Sequence, residues 1–348
     1  MIFSLSLQVA QICDETDFYR LSDFSDSVQE LQTDLDFAGF AKFYPLQYSG
    51  IIDGKGHTIK NLLIDRTELQ CQKGLDNSCE ISVGIFSFSS FLHFHNIGFD
   101  NITIRYSNSN DEVTQLNVGL FVGKGHGIKL VNVSVKNSLV IATNSAKASI
   151  SIGGLVGCIE NALMVNNSEI SVQIAINGNI LSIAGGLAGS TKVNKVQSVL
   201  YNNKISIDIK SANVAQLGGV ATYMDRGYFE NCIVDLTLDL QVADNVVGGL
   251  TVNDPTYLTI INSKNSISGN GGKNLTYGGI TSFDQLHSIQ GQITGVITIF
   301  ELAIQERAVA NIQFRHQLYI QELTTLHNFR CFAEVLLLTD FFKLYCSR

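Results

Sequence analysis

Gly125–His126–Gly127 places an imidazole between two glycines, an open turn on which a sugar-cleaving enzyme could present a base. Such chemistry needs two or three carboxylates meeting at one bond, one as acid and one as base. Around His126 no Asp-Asp pair or Asn-Thr-Asp precedes and no Arg-Ile-Lys follows; the nearest upstream aspartates are Asp100 and Asp111. A glycine-rich turn with an exposed histidine is the reading favoured, and no catalytic residue is assigned. His57 lies beside Asp53 in an Asp-Gly-Lys-Gly-His run and reads as part of a turn. His93 and His95 share a face if 91–95 is a strand, but two imidazoles lack the third ligand a zinc ion needs. Phe91 and Phe94 make an aromatic patch the simpler account. Asp14, Asp17, Asp23 and Asp26 lack the Asp-x-Asp-x-Asp-Gly order of a calcium loop and read as a solvated, loop-like acidic face. No metal and no cofactor is expected.

The cysteines are Cys13, Cys71, Cys79, Cys158, Cys232, Cys331 and Cys346, an odd number that leaves one unpaired if they oxidise. Cys71 and Cys79 flank a Lys-Gly-Leu-Asp-Asn-Ser loop and could close a short disulfide in an exported chain. Cys158 and Cys232 are expected to be buried as small hydrophobes. Asn-x-Ser/Thr occurs at Asn101, Asn132, Asn166 and Asn274. Asn132 belongs to the ladder described next, so its amide is expected to be buried, and glycans are expected on Asn101 and Asn274 if any are attached.

These residues sit on a repeat. Glycine followed by an apolar residue recurs at Gly84, Gly119, Gly154, Gly186, Gly219, Gly249 and Gly279, in steps of 35, 35, 32, 33, 30 and 30 residues. An asparagine follows the first six at 12, 13, 13, 16, 12 and 13 residues: Asn96, Asn132, Asn167, Asn202, Asn231 and Asn262. After each comes period-two alternation, as in Ile170, Val172, Ile174 and Ile176 against Ser171, Gln173 and Ala175. That is the signature of strands with one buried face. At ~3.3 Å per residue a period of this length allows three short strands with turns. The pattern predicts a parallel β-helix, with the asparagine amides stacked turn over turn and the glycine pairs letting the backbone turn sharply. A propeller blade has a similar period but needs four strands and usually aromatic signatures, and this chain has no Trp.

Composition agrees. With 348 residues, 45% hydrophobic and 16% charged, the chain can bury a large core. The net charge of -8 and the absence of basic runs argue against nucleic acid. No stretch reaches 18 apolar residues, so no transmembrane helix is expected. Met1–Ile12 is apolar but short for an export leader and has no basic segment before it. Residues 1–50 hold no Asn, and the last 53 hold no Gly. The expected organisation is an N-terminal segment 1–44, a β-helix of about seven coils over 45–283, and a tail 284–348. Helical spacing in Phe300–Ala310 and Leu318–Phe342 suggests a helical or irregular cap.

The Gly-Gly-Leu-Val-Gly run at 153–157 with its Asn-led strand resembles the GLUG motif, a short repeat of bacterial and protist surface proteins. The segment 31–65 resembles the leader preceding such repeats, through Asp36, Pro45, Ser49, Gly50, Asp53, Gly54, Gly56, His57, Ile59, Asn61 and Leu62. Gly219 and Gly249 depart from the motif, because no final Gly follows in their tiers. Over about residues 31–280 the resemblance implies a right-handed parallel β-helix on a secreted or cell-surface protein, adhesin-like and without catalytic residues. Glycans, host or neighbouring-cell proteins, or further copies of the chain are the implied partners. Turns 105–117, 142–149 and 190–196 are the expected contact loops. Two alternatives stay open: a polysaccharide lyase or glycoside hydrolase on the same fold, and a self-assembling cell-coat protein.

Overall fold

The computed structural model describes residues 9–278 except 22–27, 41–42, 68–70, 74–77, 145–147, 179–181, 192–196, 212–214, 242–244, 253–256 and 271–273. Beyond 278 it describes the backbone of strands Ile293–Thr294, Ile297–Ala303, Arg307–Ala310, Leu323–Thr324, Arg330–Ala333 and Leu344–Ser347. Gly279 and turn residues 192–196 therefore lie outside the described residues.

The protein is all-β, with a large parallel sheet of 22 strands facing a second sheet of nine. Each repeat forms one tier, and each tier hydrogen-bonds to the next in parallel register. In the tier that starts at Gly186, strands Ala188–Thr191 and Gln197–Tyr201 lead to Asn202. Lys204–Ser211 follows the asparagine, and Ala215–Gly218 closes the tier in the nine-stranded sheet. Ile205 pairs with Ile170 of the tier before and Val234 of the tier after. Parallel pairing between consecutive repeats is not what a propeller blade makes.

Alternation sets the register. Ile205, Ile207 and Ile209 are fully buried and stack between Ile170, Ile174 and their neighbours and Val234, Leu236 and Leu238. Each buried aliphatic contributes about 1.5–3 kcal/mol, and a one-residue slip would turn the whole row to solvent. At the N-terminal end, helix Glu15–Tyr19 lays Phe18 into the core against Phe37, Phe43 and Phe86, with ring centroids 5.8–6.4 Å apart.

The repeat glycines have a different cause from the one expected. Among the described glycines only Gly56 and Gly269 have positive φ. Gly84, Gly119, Gly154, Gly186 and Gly219 are needed because another backbone passes where a Cβ would stand. A Cβ on Gly154 would run into the carbonyl oxygen of Gly186, one on Gly186 into that of Gly219, and one on Gly219 into that of Gly249. At Gly84 it would lie 2.9 Å from the Gly119 carbonyl oxygen. The tiers touch at their backbones here, and the left-handed turns are made by asparagine instead.

The ends also differ. Val28–Leu31 pairs with Gly50–Asp53, Val9–Ile12 with Val28–Leu31, and Leu35–Asp36 with Thr58–Lys60. The segment 1–44 is thus part of the large sheet from Val9 on. Past residue 283, Ile297–Ala303 pairs with Lys264–Asn270 and Arg307–Ala310 with Asn274–Gly278, where a helical or irregular cap was expected. β-Branched Ile297, Thr298 and Ile299 favour a strand, and the open edge of Lys264–Asn270 supplies its partner. Leu323–Thr324, Arg330–Ala333 and Leu344–Ser347 form a small antiparallel sheet in the tail, the first two within the Leu318–Phe342 stretch expected as a helical or irregular cap.

Candidate functional site

Asparagine marks one corner of every tier. Asn96, Asn132, Asn167, Asn202, Asn231 and Asn262 all have φ between 48° and 54°. Asparagine is the non-glycine residue that tolerates this region best, because its short amide can bond locally. Asn132 Nδ2 donates to Asn96 Oδ1 at 3.0 Å, Asn202 to Asn167 at 3.2 Å, and Asn231 to Asn202 at 3.1 Å. The column runs along the outside, so Asn132 is exposed rather than buried. The corner must point outward for the chain to turn around its own core. A second column covers the first tiers: Asn61, Asn101 and Asn137 have φ of 58°, 56° and 49°, and Asn101 Nδ2 donates to Asn61 Oδ1 at 2.8 Å. Asn101 and Asn132 thus occupy equivalent environments, and the expected contrast between them as glycan sites does not hold. The Asn274 side chain lies outside the described residues.

The corner gives a test that separates its two ingredients. Asn202→Ala should lower stability by about 1–2 kcal/mol, since alanine resists positive φ and drops the amide bonds. Asn202→Gly keeps the φ and should cost clearly less. Urea denaturation of both variants reads the difference, and equal losses would show that the φ is not the reason for asparagine.

One residue further on, the chain turns inward with a buried polar group that the sequence analysis missed. Val133 N donates to Ser168 Oγ at 3.1 Å, Ser168 N to Asn203 Oδ1 at 2.9 Å, and Cys232 N to Ser263 Oγ at 3.1 Å. Ser168 and Ser263 donate back to the carbonyls of Asn166 and Ile261, and Cys232 Sγ to that of Glu230. Cys232 is therefore a sulfur member of a polar column rather than a plain hydrophobe; burial raises its pKa first of all. The signal was present as a small polar residue after four of the six corner asparagines, Asn167, Asn202, Asn231 and Asn262, while Ile97 and Val133 follow the other two.

A disulfide joins Cys71 to Cys79 and ties the antiparallel pair Gln72–Lys73 and Cys79–Val83. Outside this disulfide, Cys13 is exposed and Cys158 is buried.

Among the polar residues singled out for chemistry, His126 is exposed, and its Nδ1 lies 3.1 Å from Glu160 Oε2. Glu160 also holds Lys124 at 3.2 Å, and Lys124 reaches Glu80 at 2.9 Å. Asn117 donates its amide to Glu80, and Gln115 donates to Asn117. This chain of side chains crosses from the nine-stranded sheet to the large one. Burial pulls the Lys124 ammonium down, but Glu80 and Glu160 more than offset it and hold its pKa above the usual lysine range. Glu80, Lys124 and Glu160 were missed because each comes from a different tier.

His57 pairs with Asp34 at 3.2 Å, not with Asp53. Asp53 instead accepts from Lys55 N at 2.9 Å and shapes the turn in which Lys55 and Gly56 have φ of 52° and 89°. Asp14 is the N-cap of helix Glu15–Tyr19, accepting from Asp17 N at 2.8 Å, so this stretch is a capped helix start and not a loop. Asp23 and Asp26 lie outside the described residues. Of turn 105–117, only 109–114 lies between strands, since Thr103–Asn108 and Gln115–Gly119 take the rest.

His93 and His95 do share an outward face, with ring centroids 5.0 Å apart. No group of three His, Cys, Asp or Glu able to hold a metal occurs among the described residues. His93 Nε2 is buried without a hydrogen-bond partner. Burial, then Lys129 and His95, push its imidazole down to about 4, against a weaker pull from Asp53. With the folded pKa below the ordinary 6.5, the unfolded chain takes the proton first. Stability is therefore full above that value and lost as pH falls toward 4. His93→Asn should make urea midpoints between about pH 7 and about pH 4.5 less pH-dependent than in the wild type. An unchanged pH slope would contradict this placement of His93.

No protein-family model and no curated protein matches the sequence. Two solved structures follow a similar backbone course. The first, "IgA1 Protease", is 13% identical with a TM-score of 0.49, over 84% of this chain and 22% of that one. The second, from Bacteroides ovatus and provisionally named an immunoglobulin A1 protease, is 16% identical with a TM-score of 0.45, over 90% of this chain and 81% of that one. This chain spans about a fifth of the first structure's length. Both likenesses are too weak to carry an argument about fold or activity.

Proposed function

We propose that the tiers wind as a right-handed parallel β-helix of the GLUG-motif kind, and that the protein is a non-catalytic, adhesin-like scaffold, secreted or held at the cell surface. The observation that carries this reading is the continuous parallel stacking from Val9–Ile12 to Ile297–Ala303, which builds long rigid outer faces. Rigid faces lower the ordering cost of binding, so they suit contact with glycans or with proteins of other cells. The final glycines of the motif support the family reading. Gly157 packs against the Gly123 carbonyl and Gly189 against that of Gly157, where a side chain would not fit. The Cys71–Cys79 disulfide suits an exported chain.

A second reading, a carbohydrate-active enzyme, draws on Glu80 and Glu160. It ranks lower because Lys124 bridges both carboxylates and holds them in ion pairs, whereas an acid and base pair must be free to reach one bond. A self-assembling coat protein is the third reading, and concentration-dependent sedimentation would support it over a monomeric scaffold.

To test location, an epitope would be inserted at the exposed Asp111–Glu112 turn and intact cells labelled with an impermeant biotin reagent. Labelling on intact cells is expected. Labelling only after lysis would overturn the surface reading.

A further inference from the structure

Of the five aromatic residues exposed among the described ones, three lie at one outer face: Phe91, Tyr201 and Tyr257. That face is made by strands Leu92–Asp100, Val122–Asn144, Val156–Asn166, Gln197–Tyr201, Arg226–Glu230 and Tyr257–Ile261. Alternation turns Leu200 and Phe229 into the core and Tyr201, Tyr228 and Glu230 outward. Register then gathers them. Tyr201 lies opposite Asn166 on one side and Glu230 on the other, while Arg226 lies opposite Tyr257.

The geometry points to a binding site for a neutral saccharide chain on this patch, in four adjacent tiers from Asn166 to Tyr257. The proposal rests on the scaffold reading above and names its ligand class. Four tiers at ~4.8 Å spacing give a patch about 14 Å long. Tyr201 and Tyr257 are 38% and 47% exposed and offer flat apolar surfaces at its two sides. The C–H face of a sugar ring stacks on such surfaces, and its hydroxyls need donors and acceptors beside them. Those are here. Glu230 accepts from the Tyr228 hydroxyl, which orients both. Asn166 stands beside Tyr201 in the register, at the edge of the patch. Arg226 supplies donors and stands 3.8 Å from Asp225.

The patch favours a neutral saccharide over other classes. The backbone of Gln197–Tyr201 and Arg226–Glu230 is engaged by tiers on both sides, so an extended peptide finds no free edge to pair with. One guanidinium, Arg226, stands against two carboxylates, Asp225 and Glu230, so the patch offers a polyanion no positive field.

The test is affinity electrophoresis of the purified protein through gels containing dextran, laminarin, mannan or galactomannan, with heparin and denatured casein as the charged and peptide probes. Because the chain lacks Trp, tyrosine fluorescence gives an independent titration. At least one neutral polymer should retard the wild type. Tyr201→Ala and Tyr257→Ala should each weaken that binding about tenfold, with unchanged circular dichroism. Leu63→Ala, at an exposed position on another face, should bind as the wild type does. No retardation by any neutral polymer, retardation only by heparin or casein, or equal binding by the tyrosine variants would overturn the site. Cell labelling is a separate measurement, so failure of the saccharide site and failure of the surface reading are told apart.

Discussion

Replacing Gly186 with alanine is expected to destabilise the protein by about 3 kcal/mol or more, because the new methyl has no space that relaxation of one side chain could provide. Its Cβ would meet the Gly219 carbonyl, which is backbone, and then the Ile207 side chain at 3.0 Å. Gly154 and Gly219 stand in the same stack and should respond alike. The effect is steric and not a matter of φ, since Gly186 is not among the positive-φ glycines. Gly39→Ala is the matched control: nothing lies within 4 Å of a Cβ there, and its urea midpoint should stay near the wild type's. A Gly186→Ala protein as stable as Gly39→Ala would show that the tiers do not touch at this stack.

Asn203→Ala is expected to cost about 2–4 kcal/mol. The residue is buried, accepts from Ser168 N at 2.9 Å and donates to the Val165 carbonyl at 2.6 Å. Removing its amide leaves both backbone groups without their partner in a place water does not reach, and an unsatisfied buried group costs its full desolvation. Serine does the corresponding work at positions 168 and 263. Asn203→Ser should therefore restore most of the loss in denaturation experiments. If serine were no better than alanine, the loss would reflect packing volume and not the polar column.

The period and the alternation were legible in the sequence because both are local: the spacing from Gly154 to Asn167 and the run Ile170–Ile176 announce themselves within one tier. The left-handed corners were legible in residue type, since asparagine at a fixed offset has few other causes. What the glycines do was not. Gly186 and a turn glycine look the same in sequence, and only the neighbouring tier shows that a carbonyl occupies the space. Phe300–Ala310, expected as part of a helical or irregular cap, instead enters strands Ile297–Ala303 and Arg307–Ala310, because the pairing partners supply a preference that its own spacing leaves open. The network of Glu80, Lys124, Glu160 and His126 joins three tiers, so no short-range pattern contains it. The tyrosine patch lies between these extremes. Tyr201, Tyr228 and Tyr257 precede their corner asparagines by one, three and five residues, a relation visible only once the tiers are aligned by register.

The central claim is the linear, in-register stacking of tiers, and distances between spin labels test it most directly. Leu63, Thr103, Leu139, Gln173, Asp208 and Thr237 occupy one outward row, each opposite the next. Cysteines would be placed at Leu63 with Gln173, and at Leu63 with Thr237, after replacing Cys13, Cys158, Cys232, Cys331 and Cys346 with serine or alanine. At ~4.8 Å per tier the backbone separations should be about 14 Å for three steps and about 24 Å for five, so the distance grows in proportion to the number of tiers. Separations that level off or shrink as tiers are added would mean that the repeats close on themselves, and the stacked architecture would be wrong.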